Sequence, residues 1–324
     1  MELGVVLDIL WPLNQIERLA RAAEESGFDQ VWISDHPLGH DPFLTIAHLA
    51  RALPRIRLGI GTINPSARHP AVIAASAGFL NHLVEGRFSL GIGSSINPLL
   101  RPIGLDVAGQ VPRCREAIRI IKGLLETGVS TVRGEIFSTH DAKAQFEGCV
   151  PIPVFVGASG GPAMLKVSGE ESDGVIIPAG NRGFYEYAIQ SFNRARSRAG
   201  VVNAGSVVVN GNIAVGESSR DALDSIRPLV ADAIAHRAEN KFSLEHMGIS
   251  LSQAQAWRDA PASMPVGVVR ESAIAGTPGE CVDGLLKFAD WGITQLCVRF
   301  PEESTIRAVG AEVLPSLRRE LGRD

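Results

Sequence analysis

The sequence predicts an α/β fold: a (β/α)8 TIM barrel with insertions. Eight short apolar strands alternate with helical segments along the 324 residues, and parallel strands need such helical crossovers. Eight units in a chain of this length favour a closed barrel over an open doubly wound sheet. No linker divides the chain. We therefore expect one domain over residues 1–324, with insertions at about 96–150 and 240–270.

The first half of the chain supplies four strands. Leu3–Ile9 is almost entirely apolar, which is typical of a parallel strand that is covered on both faces. Leu13–Gly27 has helical spacing and ends at a glycine. Further strands are predicted at Gln30–Ser34, at the start of Leu58–Pro70 and within Gly86–Ser95. The helices between them are predicted at about Asp41–Ala52 and at Ala71–Val84.

The alternation loosens after the fourth strand and then resumes. Ile96–Val111 is expected to be a loop, and Val129–Cys149 an irregular excursion with a hairpin around Gly134. Asn240–Arg270 is polar and poorly periodic, as in an insertion. The remaining strands are predicted at Val154–Val156, Gly174–Ile177, Val207–Val215 and Thr294–Phe300. The remaining helices are predicted at Pro112–Leu125, Ala163–Gly169, about Gly183–Ala199, Arg220–Glu239, Pro278–Trp291 and Ser304–Leu321.

Composition excludes several classes of function. The formal charge of −4 and the absence of Lys/Arg runs argue against a nucleic-acid partner. No apolar run approaches the roughly 20 residues of a membrane span. The cysteines are too scattered for a metal or redox motif, so reduced thiols in a cytoplasmic protein are expected. Neither HExxH nor GxSxG is present. A bound cofactor would therefore have to supply any difficult chemistry.

Asp35-His36 follows the second predicted strand. In a barrel of this kind the active site lies at the carboxyl ends of the strands. A carboxylate beside an imidazole can move a proton near neutral pH. The alternatives are that Asp35 caps the next helix and that His36 is simply solvated. We predict that both residues are catalytic.

Glycines end the third and fourth strands. Gly59 and Gly61 remove side chains where the third strand ends, which permits a ligand to approach the backbone closely. Crowding in a packed barrel explains these glycines equally well. The candidate cofactor-binding residues at these two strand ends are Gly61, Thr62, Asn64, Gly93, Ser94 and Ser95.

The fifth strand ends in a turn without bulky side chains that leads directly into a helix. Free backbone N–H groups and the positive end of a helix suit a phosphate. An ordinary strand-to-helix turn is the alternative. The turn is neither a Walker loop nor a dinucleotide fingerprint. Its candidate cofactor-binding residues are Gly157, Ala158, Ser159, Gly160 and Gly161.

Four segments together resemble the bacterial luciferase-like superfamily, and most of all its deazaflavin branch, which includes methylenetetrahydromethanopterin reductase. They are WISDH (Trp32–His36), LGIGTINPSARHP (Leu58–Pro70), GRFSLGIG (Gly86–Gly93) and PVFVGASGGPAMLKVSGEESDGVII (Pro153–Ile177). The tail AGTPGECVDGLLKFADWGITQLCVR (Ala275–Arg299) is similar to the same branch. The resemblance spans nearly the whole chain and agrees with the predicted barrel.

The resemblance implies a barrel that binds coenzyme F420 or, in other branches, FMN. The implied reaction is hydride transfer between C5 of the deazaflavin and a substrate carbon. A non-prolyl cis peptide bond is implied at Gly61–Thr62, where it would support the central ring. The other implied contacts are Asp35-His36 beside the deazaflavin, Gly93-Ser94-Ser95 at its ring or tail, and Ser159-Gly160-Gly161 at the phosphate.

Two departures from the resembling sequences concern acids. Val6 stands where the reductase has a glutamate in its first strand, and Ser94-Ser95-Ile96 stands where it has an acid. The sugar-phosphate dehydrogenase branch also expects a carboxylate at about Ile96. Whether Asp8 replaces the first acid stays open, since strand side chains alternate. Asp35, His36 or Asn64 could still serve proton transfer.

We therefore predict a coenzyme F420-dependent oxidoreductase that acts on a small organic or pterin-like substrate. We expect it to be a homo-oligomer, either a dimer or a tetramer, without nucleic-acid or membrane partners. One alternative is an FMN-dependent luciferase-like monooxygenase. The other is a cofactor-binding protein without turnover.

Overall fold

The structure, a computed structural model, describes residues 1–93, 100–105, 108–146, 150–236 and 241–322. The barrel strands are β1 Glu2–Leu7, β2 Gln30–Ile33, β3 Arg57–Ile63, β4 Phe88–Ile92, β7 Val154–Gly157, β8 Gly174–Pro178, β9 Ser206–Gly211 and β12 Gln295–Arg299. The other strands are β5 Val129–Arg133, β6 Ser138–Lys143, β10 Ile213–Val215 and β11 Ile274–Gly276. The strands outside the barrel form two separate two-stranded sheets, β5 with β6 and β10 with β11.

Helices connect the barrel strands. Those of the first half are α1 Leu13–Glu25, α2 Pro42–Ala50, α3 Pro70–Leu83, α4 Gln110–Lys122 and α5 Pro162–Glu171. Those of the second half are α6 Arg182–Arg198, α7 Ser219–Ala235, α8 Lys241–Met247, α9 Leu251–Asp259, α10 Val266–Ser272, α11 Pro278–Asp290, α12 Glu303–Ala308 and α13 Leu314–Glu320. Over the described part of the chain, none of the helices is both long and apolar enough to cross a membrane.

The barrel strands close in the order β1-β12-β9-β8-β7-β4-β3-β2, and every pair is parallel. This arrangement confirms the predicted (β/α)8 barrel. Apolar residues on the outward faces of the strands pack against the surrounding helices. A smaller cluster fills the barrel interior and consists of the buried side chains of Val6, Trp32, Phe155, Ile176, Val208 and Cys297.

A polar network closes the interior below this cluster. The Trp32 indole donates a hydrogen bond to Gln295 Oε1 at 3.0 Å, and the Gln295 amide donates to Glu2 and Gln30 at 3.2 Å each. Gln30 and Gln295 are buried. These hydrogen bonds satisfy much of the buried polar surface, although Gln30 Nε2 has no hydrogen-bond partner among the described residues. The apolar cluster and the polar network together close one end of the barrel. The open end is the opposite one, where the carboxyl ends of the strands lie.

The predicted seventh strand, Val207–Val215, is wrong as a single element. The chain leaves the barrel at Asn212, and β10 then pairs with β11 in a separate two-stranded parallel sheet. The Asn212 carbonyl accepts a hydrogen bond from the Ile274 N–H at 3.1 Å. The apolar run continues through this break, and periodicity alone therefore does not reveal it.

Residues 241–270, predicted to be a polar and poorly periodic insertion, are largely helical. The segment contains α8, α9 and α10, each of seven to nine residues. Helix α9 begins with a capping box between Ser250 and Gln253 and buries only Ala254 and Trp257. Two buried residues in α9, two in α10 and three among the described side chains of α8 are too few to give a visible helical period.

The closing helix is also interrupted. A π-helical turn, Val309–Val313, separates α12 from α13. Pro315 lies in the first turn of α13 and has no N–H to donate to the preceding turn, which favours a shift in hydrogen-bond register there.

The hairpin expected around Gly134 is present as β5 and β6, which pair antiparallel. The buried Glu116 carboxylate of α4 accepts hydrogen bonds from the N–H groups of Glu135, Ile136 and Phe137 at 2.7–3.0 Å. A carboxylate that accepts three backbone N–H groups fixes the turn firmly to the helix.

Candidate functional site

The carboxyl ends of the eight strands form one rim, and the predicted site residues meet there. Asp35 and His36 follow β2, Gly61 and Thr62 lie in β3, and Asn64 follows β3. The remaining described candidates are Gly93 after β4, Gly157 at the end of β7, and Ala158, Ser159, Gly160 and Gly161 in the turn that follows β7. Ser94 and Ser95 were also predicted to bind the cofactor, but they lie outside the described residues.

The Gly61–Thr62 peptide bond is cis, as the resemblance implied. The register between β3 and β4 shifts between Ile60 and Ile63, around this bond. A Cβ atom added to Gly59 would lie 2.7 Å from Trp32 Cε3, and one added to Gly61 would lie 3.0 Å from the same atom. Crowding against the interior tryptophan therefore accounts for both glycines. A ligand contact is not needed to explain them.

The side chain of Thr62 lies in a pocket formed by three glycines, which we call the glycine cradle: Gly91, Gly93 and Gly157. A Cβ atom at Gly93 would lie 2.2 Å from Thr62 Oγ1, and one at Gly91 or Gly157 would lie 3.0 Å from Thr62 Cγ2. Gly93 and Gly157 make room for the threonine, whereas a Cβ atom at Gly91 would first meet the Ile60 carbonyl oxygen at 2.7 Å. Thr62 itself keeps partial solvent exposure at the rim.

Asp35 connects the ends of β2 and β3. Its Oδ2 accepts a hydrogen bond from the Asn64 N–H at 3.2 Å. Burial raises the pKa of the Asp35 carboxyl, whereas the Asn64 hydrogen bond and the positive charge of Arg68 oppose that rise. Burial dominates, so the protonated form of Asp35 is favoured more than in an ordinary aspartate. Asp35 does not cap α2. Asp41 caps that helix, and its carboxylate accepts hydrogen bonds from the N–H groups of Phe43 and Leu44.

Arg68 fixes the two loops around Asp35 to each other. Its guanidinium pairs with the Asp41 carboxylate and lies 4.7 Å from the centre of the Phe43 ring. Asp41 begins α2, whereas Arg68 precedes α3. The ion pair thus holds the β2–α2 loop against the β3–α3 loop, with the Asp35–Asn64 hydrogen bond between the same two loops.

His36 lies beside Asp35 on the partly exposed rim. Its Nδ1 accepts a hydrogen bond from the Leu38 N–H at 3.2 Å. A ring nitrogen that accepts must hold a lone pair, so the neutral ring carries its hydrogen on Nε2. The backbone thereby orients the imidazole and leaves Nε2–H as a donor.

The turn between β7 and α5 is exposed at Ser159, half-buried at Gly161 and buried at Gly160. Gly160 has φ +102°, and a Cβ atom there would lie 2.8 Å from Phe184, so this position requires glycine. Gly161 has nothing within 4 Å of an added Cβ atom. No described side chain caps the N-terminus of α5. This main chain is open to an anion at the positive end of a ten-residue helix.

Sequence reasoning missed a residue that supports this turn. The buried hydroxyl of Ser243, in α8, donates a hydrogen bond to the Ser159 carbonyl at 2.8 Å. Ser243 lies 84 positions away, in the polar segment that was predicted to be a poorly periodic insertion. No local motif marks it, and only the tertiary fold brings it to the turn.

Asp8 does not occupy the place of the acid that is absent at Val6. Val6 is buried in the interior cluster. Asp8 lies beyond the end of β1, where its Oδ1 accepts a hydrogen bond from the Leu10 N–H at 3.0 Å. Asp8 therefore belongs to the rim and not to the floor of the site.

Comparison with known proteins gives concordant results. A family model described as luciferase-like monooxygenase matches residues 4–295. The 5,10-methylenetetrahydromethanopterin reductase of Methanolobus tindarius is 30% identical over 94% of this chain and 96% of that protein. The F420-dependent glucose-6-phosphate dehydrogenase of Intrasporangium calvum is 29% identical over 95% of each chain.

A solved structure agrees with these sequence matches. The coenzyme F420-dependent tetrahydromethanopterin reductase from Methanopyrus kandleri superposes with a TM-score of 0.83 at 25% identity, covering 98% of this chain and 99% of that one. The family match covers nearly the whole barrel. The chain therefore belongs to the luciferase-like monooxygenase family.

Proposed function

We propose that this chain is a coenzyme F420-dependent oxidoreductase that transfers a hydride between the deazaflavin and a small organic or pterin-like substrate. The observation that carries the proposal is the turn at Ser159–Gly161, which has open space beside Gly161 and lies on the same rim as the half-buried carboxyl of Asp35. The relatives named above support it, since two of them are named for their dependence on F420.

The residues present fit a phosphate-bearing cofactor. The turn offers backbone N–H groups without an obstructing side chain, and Gly161 has open space on its Cβ side. Ser66 Oγ, in the loop after β3, is buried and has no hydrogen-bond partner among the described residues. Such an atom is costly unless something satisfies it, and a bound ligand would do so.

In this proposal Ser159, Gly160 and Gly161 hold the phosphate, and the backbone of Gly61–Thr62 supports the ring. Bound F420 would supply C5 as the hydride donor or acceptor. The chain itself would manage protons and water. Asp35, whose protonated form is favoured by burial, would hold or release a proton at its carboxyl oxygen, and His36 would donate from Nε2–H.

The test is a fluorescence titration of the purified chain with F420 and, in parallel, with FMN. We expect saturable binding of F420 at micromolar concentration or below, and oxidation of F420H2 with an acceptor from a panel of ketones, aldehydes and pterins. Absence of F420 binding would refute the proposal. Oxygen uptake with reduced FMN alone would instead identify a monooxygenase, and binding without turnover across the panel would identify a binding protein.

We also propose that the chain forms a homo-oligomer through α2 and α3. Leu44 on α2 is 72% exposed, and Val72 and Phe79 on α3 are 53% and 60% exposed. Val72, Phe79 and Leu83 are separated by seven and four residues and therefore share one face of α3. Contiguous exposed apolar side chains of this kind favour burial against a second copy of the same surface.

A further inference from the structure

Arg299 is the last residue of β12, and it faces the barrel interior. It pairs in register with Val6 of β1, whose side chain belongs to the interior cluster. Partners in register on parallel strands point to the same face of the sheet. Cys297, two residues earlier, also lies in that cluster. Arg299 is the one exposed residue of β12. Its side chain therefore stands at the mouth, directly above the packed interior.

The guanidinium lies over an aromatic platform. It is 4.7 Å from the centre of the Phe300 ring, and Trp11 meets the same ring edge-on at 5.8 Å. Phe300 has φ +49°, and its N–H donates to the Val6 carbonyl at 2.8 Å. A bulky residue in the left-handed region persists only where the surroundings enforce it, and such positions cluster at functional sites.

This cation has no direct counter-ion. Among the described residues no carboxylate lies within 4 Å of the guanidinium. Burial lowers the pKa of Arg299, and the charges of Asp232 and Asp8 act against that change from longer range. Asp232 already pairs with Arg258 and His236. The exposed guanidinium is accessible to a ligand, and Val6, its neighbour in register, supplies no charge to neutralise it.

We infer that Arg299 binds an anionic group of the substrate, a carboxylate or a phosphate, with the apolar part of the substrate against Phe300 and Trp11. The planar guanidinium suits either anion because it can donate two parallel hydrogen bonds. This inference deepens the proposed function and rests on it, since the substrate meant is that of the hydride transfer.

The experiment measures direct binding by ligand-observed NMR, with and without saturating F420. Two matched pairs of probes are used: glucose 6-phosphate against glucose, and lactate against lactamide. We expect the native chain to prefer the anionic member of at least one pair. Arg299→Gln should weaken the binding of that anionic probe about 10- to 100-fold, which is the range for losing hydrogen bonds to a charged group. The binding of the neutral probe should not change.

Three further variants make the test specific. Arg299→Lys keeps the charge but loses the paired donors, and it should recover part of the affinity. Asp8→Asn removes a negative charge that competes with the ligand, and it should tighten the binding of the anionic probe. Arg55→Gln is the matched control: Arg55 precedes β3 at the opposite end of the barrel, and its side chain is 73% exposed. It should change nothing.

A preference for glucose 6-phosphate over glucose would identify the bound group as a phosphate. A preference for lactate over lactamide would identify it as a carboxylate. Equal binding of charged and neutral probes by the native chain would overturn the inference. A fall in F420 affinity in Arg299→Gln, with anion binding unchanged, would also overturn it, because the arginine would then serve the cofactor. Failure of the proposed function has a different signature: the native chain would not bind F420, while its preference for the anion would still depend on Arg299.

Discussion

Replacing Gly93 with alanine tests whether the glycine cradle around Thr62 exists to house that side chain. The added Cβ atom would lie 2.2 Å from Thr62 Oγ1 and 3.0 Å from Thr62 Cβ. A Cβ atom added to Gly91 or Gly157 would lie 3.0 Å from Thr62 Cγ2, so the space on that side of Thr62 is only what these two glycines leave free. Inserting a methyl group into such a space costs about 1–3 kcal/mol of the free energy of unfolding.

The clash is with one side chain, so a second substitution should relieve it. Thr62→Ala removes Oγ1 and Cγ2 and leaves the tight but bearable contact between the two Cβ atoms. In a double-mutant cycle we expect a coupling free energy of about 1–2 kcal/mol between Gly93→Ala and Thr62→Ala. Gly279→Ala is the control, because Gly279 lies in α11 with nothing within 4 Å and should gain roughly 0.5–1 kcal/mol.

Isothermal urea unfolding, followed by fluorescence, measures these free energies. A cofactor titration on the same variants separates packing from ligand contact. If Gly93→Ala unfolds at the wild-type urea concentration but loses affinity for F420, the glycine serves the ligand and the cradle argument is wrong. The same conclusion follows if Thr62→Ala does not reduce the cost of Gly93→Ala.

The remaining predictions concern Asp35, the two glycines Gly160 and Gly161, and Phe79. Burial raises the pKa of Asp35 above its ordinary value of 3.8, so the stability it contributes is present at lower pH and falls as pH rises through the raised value. Asp35→Asn should therefore stabilise the chain at neutral pH in urea unfolding and should lower turnover; unchanged turnover would exclude a catalytic role. Gly161→Val should weaken F420 binding with little change in stability, whereas Gly160→Val should destabilise the fold, because Gly160 has positive φ and abuts Phe184; equal melting temperatures would contradict this. Phe79→Glu should shift sedimentation to the monomer, and an unchanged species would place the interface elsewhere.

The barrel was predictable because each of its strands is a local pattern. A parallel strand covered on both faces is a short apolar run, and the helices between strands keep their own spacing. The prediction failed at Asn212, where one apolar run continues although the strand changes its pairing partner. It also failed in the segment 241–270, where the helices bury too few side chains to show a helical period.

The candidate site was only partly predictable, for a different reason. Position at a strand end was enough to place Asp35 and His36 on the rim, since that inference needs no knowledge of contacts. The glycines were ambiguous because their neighbours come from other strands. Trp32 lies 27 positions before Gly59, and Thr62 lies 95 positions before Gly157; only the closed barrel shows that these side chains fill the space the glycines leave.

The rim residues also constrain one another electrostatically. Arg299 and Asp35 follow β12 and β2, which are separated by β1 alone, so about two strand spacings of 4.8 Å lie between these strands. An ionised Asp35 would repel an anionic substrate held at Arg299, whereas a protonated one would not. Burial favours the protonated carboxyl, which is the form that can donate a proton. Burial thus favours the form of Asp35 that can donate a proton, and it reduces the repulsion that an anion bound at Arg299 would meet.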